Sequence, residues 1–192
     1  MNHLLNIYHI HEGSRSLGPG LRYIIWVQGC IQNCKGCVSP DSRPTTLNHI
    51  IHIETLAKSI IQKRDIDGIT ISGGEPFLQA SNLTRLLQII KEKRPELNVM
   101  VFTGYTIDQL HSEKAKEFMK YIDLLIDGPY VEELNDGVGI RGSKNQHLNF
   151  LTDKLLPYKE ELEKGGRNNE IIANSNGTYI IGIPRTDIKS KI

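Results

Sequence analysis

The sequence predicts an α/β domain: a partial, open barrel of the TIM-like βα kind, with a short β-hairpin near its C-terminal end. Three observations point there. Short apolar runs alternate with segments whose apolar residues recur at helical spacing, an order that gives right-handed crossovers and a parallel sheet. A chain of 192 residues carries too few such units to close an eightfold barrel. A late Asn-Gly pair sits between two apolar runs, the pattern of a hairpin turn.

The first strand is read at Arg22-Tyr23-Ile24-Ile25-Trp26-Val27, apolar on both faces as a buried parallel strand must be, with Trp26 taken as core. Ile53, Leu56, Ala57, Ile60 and Ile61 then mark an amphipathic helix. Gly68-Ile69-Thr70-Ile71-Ser72 is the second strand, ending at Gly73-Gly74. Leu83, Leu86, Leu87 and Ile90 form the next helical stripe, stopped by Pro95, and Val99-Met100-Val101-Phe102 is the third strand. A drifting stripe from Ile107 to Ile122 predicts one more helix before the fourth strand, Asp123-Leu124-Leu125-Ile126. After Asp127 the order weakens into a polar, glycine-bearing stretch reaching Gly142. Glu170–Ala173 and Thr178–Ile181 flank Asn174-Ser175-Asn176-Gly177 as the hairpin. A single domain over residues 1–192 is expected, with its core at about 18–150 and an extension at about 151–192.

Composition narrows the function. A formal net charge of +1 offers no basic surface for nucleic acid. The start of the chain lacks the basic flank and apolar run of a secretory signal, and no run of apolar residues is long enough to span a membrane, so a cytoplasmic protein is expected. The only three cysteines, Cys30, Cys34 and Cys37, are spaced C-x3-C-x2-C. An odd, crowded set makes a poor disulfide framework, and a reducing compartment leaves all three as metal ligands. A structural zinc site wants four protein ligands, whereas an iron–sulfur cluster held by three thiolates keeps one iron open for a small molecule.

Ligands of open parallel sheets gather at the carboxyl ends of the strands. Here those ends carry Cys30, then Gly73-Gly74-Glu75-Pro76, then Thr103-Gly104-Tyr105, then Asp127-Gly128-Pro129. Two glycines let backbone approach a ligand closely, and Glu75 offers a carboxylate for a charge-assisted hydrogen bond.

The cysteine spacing after the first strand and the Gly-Gly-Glu-Pro turn after the second resemble the radical S-adenosyl-L-methionine (AdoMet) superfamily. Gly18-Pro19-Gly20-Leu21-Arg22, Trp26-Val27-Gln28-Gly29-Cys30, Asp127-Gly128-Pro129-Tyr130, Arg141-Gly142-Ser143-Lys144-Asn145-Gln146 and Ile180-Ile181-Gly182-Ile183-Pro184 look more narrowly like the activating proteins of anaerobic ribonucleotide reductases. The resemblance implies a radical AdoMet oxidoreductase with the barrel of that superfamily. Cys30, Cys34 and Cys37 would hold a 4Fe-4S cluster whose reduction cleaves AdoMet to a 5′-deoxyadenosyl radical, which makes a glycyl radical on a large partner enzyme. No catalytic side chain is implied beyond the cluster and AdoMet. It also implies that Gly73, Gly74 and Glu75 handle the methionine end of AdoMet. Gly36 and Val38, on either side of Cys37, would lie near the adenine, and Thr103, Asp127 and Arg141 near the ribose or the methionine carboxylate. The implied partners are an anaerobic ribonucleoside-triphosphate reductase and an electron donor such as flavodoxin or ferredoxin, without nucleic acid or membrane. After Cys37 the chain departs from the activases, which carry an aromatic residue or histidine and then asparagine where it has Val38-Ser39.

Competing readings are a small radical AdoMet enzyme acting on a peptide or metabolite, and a non-catalytic iron–sulfur or zinc module, its zinc completed by His49 or His52. Zinc leaves the Gly-Gly-Glu-Pro turn unexplained.

Overall fold

The computed structural model describes residues 3–174 and 177–184. Its centre is a seven-stranded mixed sheet with its three longest helices on one face, in strand order β3-β1-β2-β4-β5-β6-β7. Four strands are parallel neighbours, as expected: β2 (Arg22–Val27), β4 (Gly68–Gly73), β5 (Asn98–Phe102) and β6 (Leu124–Asp127). Three antiparallel strands extend them: β1 (Leu4–Ser14) and β3 (His49–His52) beyond β2, and β7 (His147–Phe150) beyond β6. None of these three is marked by a long apolar run. Their polar positions are tolerated because each lies at or near a sheet edge, where one face is only partly covered.

Strand alternation sorts the side chains between two faces. Tyr23, Ile25 and Val27 of β2, Ile69 and Ile71 of β4, Val99 and Val101 of β5, and Leu125 of β6 face the helices. Those helices are α1 (Ile53–Gln62), α2 (Ala80–Lys93) and α3 (Glu113–Met119). They bury Leu56, Ile60, Leu83, Leu87, Ile90 and Phe118 against the sheet. At about 1.5–3 kcal/mol for each fully buried large apolar side chain, this face is the main source of stability. The stripe from Ile107 to Ile122 is divided, with a single turn at Ile107–Gln109 before α3. Ser112 stops the drift by capping α3, its Oγ accepting the Ala115 amide at 3.2 Å.

The opposite face carries Ile24, Met100, Phe102, Leu124 and Ile126. The sequence leaves this side open to a partner, but the C-terminal segment lies across part of it. A turn at Asp153–Tyr158 and helix α4 (Lys159–Lys164) bring Leu155 and Leu162 onto Met100, Leu124 and Ile126. Strands β8 (Glu170–Asn174) and β9 (Gly177–Ile181) form the expected antiparallel hairpin, whose turn residues Ser175 and Asn176 lie outside the described residues. Its Ile181, with Ile183, packs on Leu17 and Ile24. No helix of the described residues is long and apolar enough to cross a membrane.

Arg22 is a charged side chain fully buried in the sheet. It donates to Thr70 Oγ1 at 2.6 Å, Asn98 Oδ1 at 2.7 Å, the Ile69 carbonyl at 2.8 Å and the Pro19 carbonyl at 3.1 Å. Burial pulls its pKa down to about 9, with Asp67 and Asp123 opposing. Its donors pin the amino ends of β2, β4 and β5 together, which leaves the other ends free for chemistry.

Candidate active site

A cavity of about 360 Å³ opens at the carboxyl ends of the parallel strands, on the face away from the helices. That is a usual size for a small-molecule site. Cys30, Cys34, Cys37, Val38, Gly73, Gly74, Glu75 and Thr103 all line it, from three different strand ends.

The cysteine loop owes its path to local conformation. Asn33 has φ 49° and Gly36 φ 63°, so the chain twice enters the left-handed region between the first and third cysteines. At Gly36 a Cβ would meet the Glu132 carboxylate at 2.3 Å. Lys35 pairs with Glu133 at 3.0 Å, so a turn at Glu132–Leu134 holds the outside of the loop. Just after Val38-Ser39 the chain makes a turn at Pro40–Ser42, which brings the Ser42 carbonyl to the Gly29 amide at 2.8 Å and the Arg43 carbonyl to the Cys30 amide at 2.9 Å.

None of the three cysteines is in a disulfide, and all are half-buried. Burial raises the Cys30 pKa, and Glu75, Cys37 and Cys34 add repulsion against its thiolate. Crowded thiols beside a carboxylate fit a cationic group that neutralises them. Among the described residues no three His, Cys, Asp or Glu side chains surround a single-ion position. Three thiols on one cavity wall are the donor set by which an iron–sulfur cluster is held with one iron left open, so these residues fit that group. His49 and His52, the candidate zinc ligands, are exposed side chains of strand β3.

Glu75 is 1% exposed and ties two strand ends together. Its Oε1 accepts from Thr103 Oγ1 at 2.8 Å and from the Phe77 amide at 3.0 Å, and its Oε2 from the Gly104 amide at 2.8 Å. Burial still dominates and pushes its pKa up to about 7. Because the folded-state value lies above the ordinary 4.5, the fold favours the protonated form. The cofactor-free protein is therefore expected to lose about 3 kcal/mol of stability as pH rises from 4.5 to about 7. Urea midpoints for wild type and Glu75→Gln across that range test this. The slope should disappear in the variant, and equal slopes would remove Glu75 as the cause.

The paired glycines answer to the neighbouring backbone. A Cβ at Gly73 would lie 2.7 Å from the Val27 amide nitrogen and carbonyl oxygen, and one at Gly74 would lie 2.3 Å from the Gly29 carbonyl oxygen. The Gly74 amide donates to the Val27 carbonyl and the Glu75 amide to the Gly29 carbonyl, both at 2.8 Å. The end of β4 is thus pressed onto the chain that leads into the cysteines.

Three sequence-derived candidates lie outside the cavity lining: Gly36, Asp127 and Arg141. Asp127 is buried, and its Oδ2 accepts the Ile107 amide at 2.6 Å, joining the ends of β5 and β6. Arg141 donates to Asp136 at 2.9 Å. Gln146 holds the loop beside it, accepting from the Gly142 amide at 2.8 Å and donating to the Gly128 carbonyl at 2.7 Å.

Other lining residues escaped the sequence. Trp26 lines the cavity instead of sitting in the core, because alternation puts it opposite Ile25 and Val27. Tyr8 and His9 both reach the cavity, for the register between β1 and β2 slips from Ile7 opposite Val27 to His9 opposite Trp26. Such a bulge re-aims side chains next to a site. Tyr179 of β9 closes the same wall, its ring centroid 5.0 Å from that of His9. Alternation along β2 was the one available signal, and only for Trp26.

Residues 16–149 match a family whose model is described as a 4Fe-4S single cluster domain. The chain is 33% identical over 143 residues to the anaerobic ribonucleoside-triphosphate reductase-activating protein of Vibrio cholerae, an overlap of 70% of this chain and 91% of the relative. It is 31% identical over 145 residues to the protein of that name from Enterobacteria phage T4, covering 73% and 91%. It is 32% identical over 152 residues to the pyruvate formate-lyase-activating enzyme of Staphylococcus aureus, covering 74% and 60%. Among solved structures it is similar to QueE from Escherichia coli, with a TM-score of 0.43, 13% identity and coverage of 65% and 69%.

Proposed function

The chain belongs to the 4Fe-4S single cluster domain family and to the anaerobic ribonucleoside-triphosphate reductase-activating proteins, and from that premise we propose how its residues serve a radical AdoMet activase whose target is a glycine of an anaerobic ribonucleotide reductase. The carrying observation is that the three cysteines and the Gly73–Glu75 turn, distant in sequence, line one cavity. When bound, the 4Fe-4S cluster and AdoMet supply a one-electron reductive cleavage that yields a hydrogen-abstracting 5′-deoxyadenosyl radical.

The protein's part is to hold and orient. Cys30, Cys34 and Cys37 would hold the cluster by their three thiolates, and the iron without a cysteine would be open to the methionine end of AdoMet. Glu75 accepts three hydrogen bonds and keeps acceptor capacity on Oε2 for an N–H of the methionine amino group, which would return its pKa toward the ordinary range. Gly73 and Gly74 present backbone to the same end. Val38 would lie against the adenine, with Gly36 shaping the loop behind it, and Thr103, fixed by its bond to Glu75, would stand on the ribose side. Asp127 and Arg141 act through the loops they hold.

In this reading residues 1–192 work as one domain, with a core at about 18–150 and an extension at about 151–192, and the sheet curves as an open barrel. The setting is the cytoplasm, where thiols stay reduced and a low-potential donor such as flavodoxin or ferredoxin supplies the electron.

Anaerobic incubation with reductant, AdoMet and the reductase should produce 5′-deoxyadenosine and a glycyl radical signal by electron paramagnetic resonance. Deoxyadenosine without the glycyl signal would move the target to a peptide or metabolite. Neither product from cluster-loaded protein would leave a non-catalytic module.

A further inference from the structure

The hairpin β8–β9 is a sheet of its own, not hydrogen-bonded as a strand to the central one. Two-stranded hairpins are marginal in isolation, so this one depends on its seat. Ile181 and Ile183 are buried against Leu17 and Ile24, and Glu170 accepts the Arg15 amide at 2.7 Å in an exposed tether. Between the two isoleucines stands Gly182, at φ 134°, with Tyr179, Ile180, Gly182 and Ile183 all lining the cavity that the cysteines line. The chain thus lays an extended segment carrying a glycine, flanked by bulky apolar residues, along one wall of its own active site.

The seat is imperfect. His9 Nε2, beside Tyr179, and Asn169 Oδ1, which a Cβ on Gly182 would meet at 2.4 Å, are both buried without a hydrogen-bond partner among the described residues. A buried polar atom left unpaired costs stability and calls for a reason. An incoming peptide main chain has the amide and the carbonyl to pair with His9 Nε2, which stays in the groove when the hairpin leaves and which no described residue pairs with at present.

We propose that the Ile180–Pro184 segment is an internal stand-in for the target: it occupies the groove over His9, Trp26 and Phe102 where the partner's extended, glycine-bearing segment docks, and the hairpin withdraws as that segment enters. This rests on the activase reading above. Gly182 is the pivot, since its left-handed φ turns the chain immediately after β9.

Hydrogen exchange of the cluster-loaded protein, alone and with anaerobic ribonucleotide reductase, tests the displacement, with the glycyl radical followed in the same mixtures. Amides of residues 178–183 should exchange about tenfold faster or more in the complex while those of Ile7–His11 and Arg22–Val27 slow. Unchanged or slower exchange at 178–183 in a mixture that forms the radical would overturn the stand-in and leave the activase. No complex and no radical would remove the activase reading, and the stand-in with it. A second arm uses Ile181→Ser with Ile183→Ser, which loosens the seat. Its apparent affinity for the reductase should rise up to about tenfold, as expected when a closed state taxes binding. Equal or weaker affinity in the folded variant would overturn the proposal, and if the variant does not fold the wild-type exchange decides.

Discussion

Cys34→Ala should abolish the brown absorbance of anaerobically reconstituted protein while leaving its far-ultraviolet circular dichroism intact. The chain has only three cysteines, so no other thiol can take the place. Cys34 is half-buried, and the loop around it is fixed by backbone bonds from Gly29 to Ser42 and from Cys30 to Arg43. Removing one sulfur therefore takes a ligand without unfolding the loop. With two thiolates remaining, cluster affinity should fall by more than about 10–100-fold, the loss that removing an outer-shell partner brings, and deoxyadenosine should disappear with the cluster. An unchanged spectrum and iron content would contradict the ligand assignment.

Gly74→Ala should be the most damaging single methyl group added to the rim. Its Cβ would sit 2.3 Å from the Gly29 oxygen, with Gly29 C and N at 2.8 and 2.9 Å, and none of these is a side chain that can swing aside. The end of β4 must move off the cysteine loop, weakening the two 2.8 Å bonds from Gly74 and Glu75. Overpacking costs about 1–3 kcal/mol and each weakened backbone bond up to about 1, so a loss of about 3 kcal/mol in unfolding free energy is expected, read as a lower denaturant midpoint. AdoMet affinity should fall as well, because Glu75 moves with the strand end. Gly166→Ala is the comparison: nothing lies within 4 Å of its added Cβ, and the change should be neutral or stabilise by up to about 1 kcal/mol. Equal stabilities of the two variants would show that the close approach at Gly74 is unimportant.

The parallel core was legible because Tyr23–Val27, Val99–Phe102 and Leu124–Ile126 are apolar on both faces, as only strands covered on both sides need to be, and Ile69–Ile71 departs from that at Thr70 alone. Strand β1 was not legible. Its Asn6, Tyr8, His9 and His11 break the apolar run, and a bulge makes them useful beside a cavity that no single segment reveals. His147-Leu148-Asn149-Phe150 is too short and polar to announce a strand, and it forms one because Leu124–Asp127 offers an unpaired edge. The cysteines and the Gly-Gly-Glu-Pro turn stood out as local patterns. Thr103 also stood out at its strand end, but its bond to Glu75 spans 28 residues and exists only once β4 and β5 are neighbours.

By itself, the sequence determined the chemistry on offer: three thiols at fixed spacing, a glycine pair, a carboxylate, and strands whose ends would carry them. These are properties of residue type and short-range periodicity, which need no fold to be read. Tertiary structure decided what each group faces. It set Gly74 against Gly29, buried Glu75 enough to lift its pKa to about 7, turned Trp26 from core to cavity wall, and drew Asp127 and Arg141 into holding loops. It also laid the segment around Gly182 along the cavity. Burial, close approach and long-range hydrogen bonds are sums over neighbours from distant parts of the chain, and those neighbours are assigned only when the sheet forms.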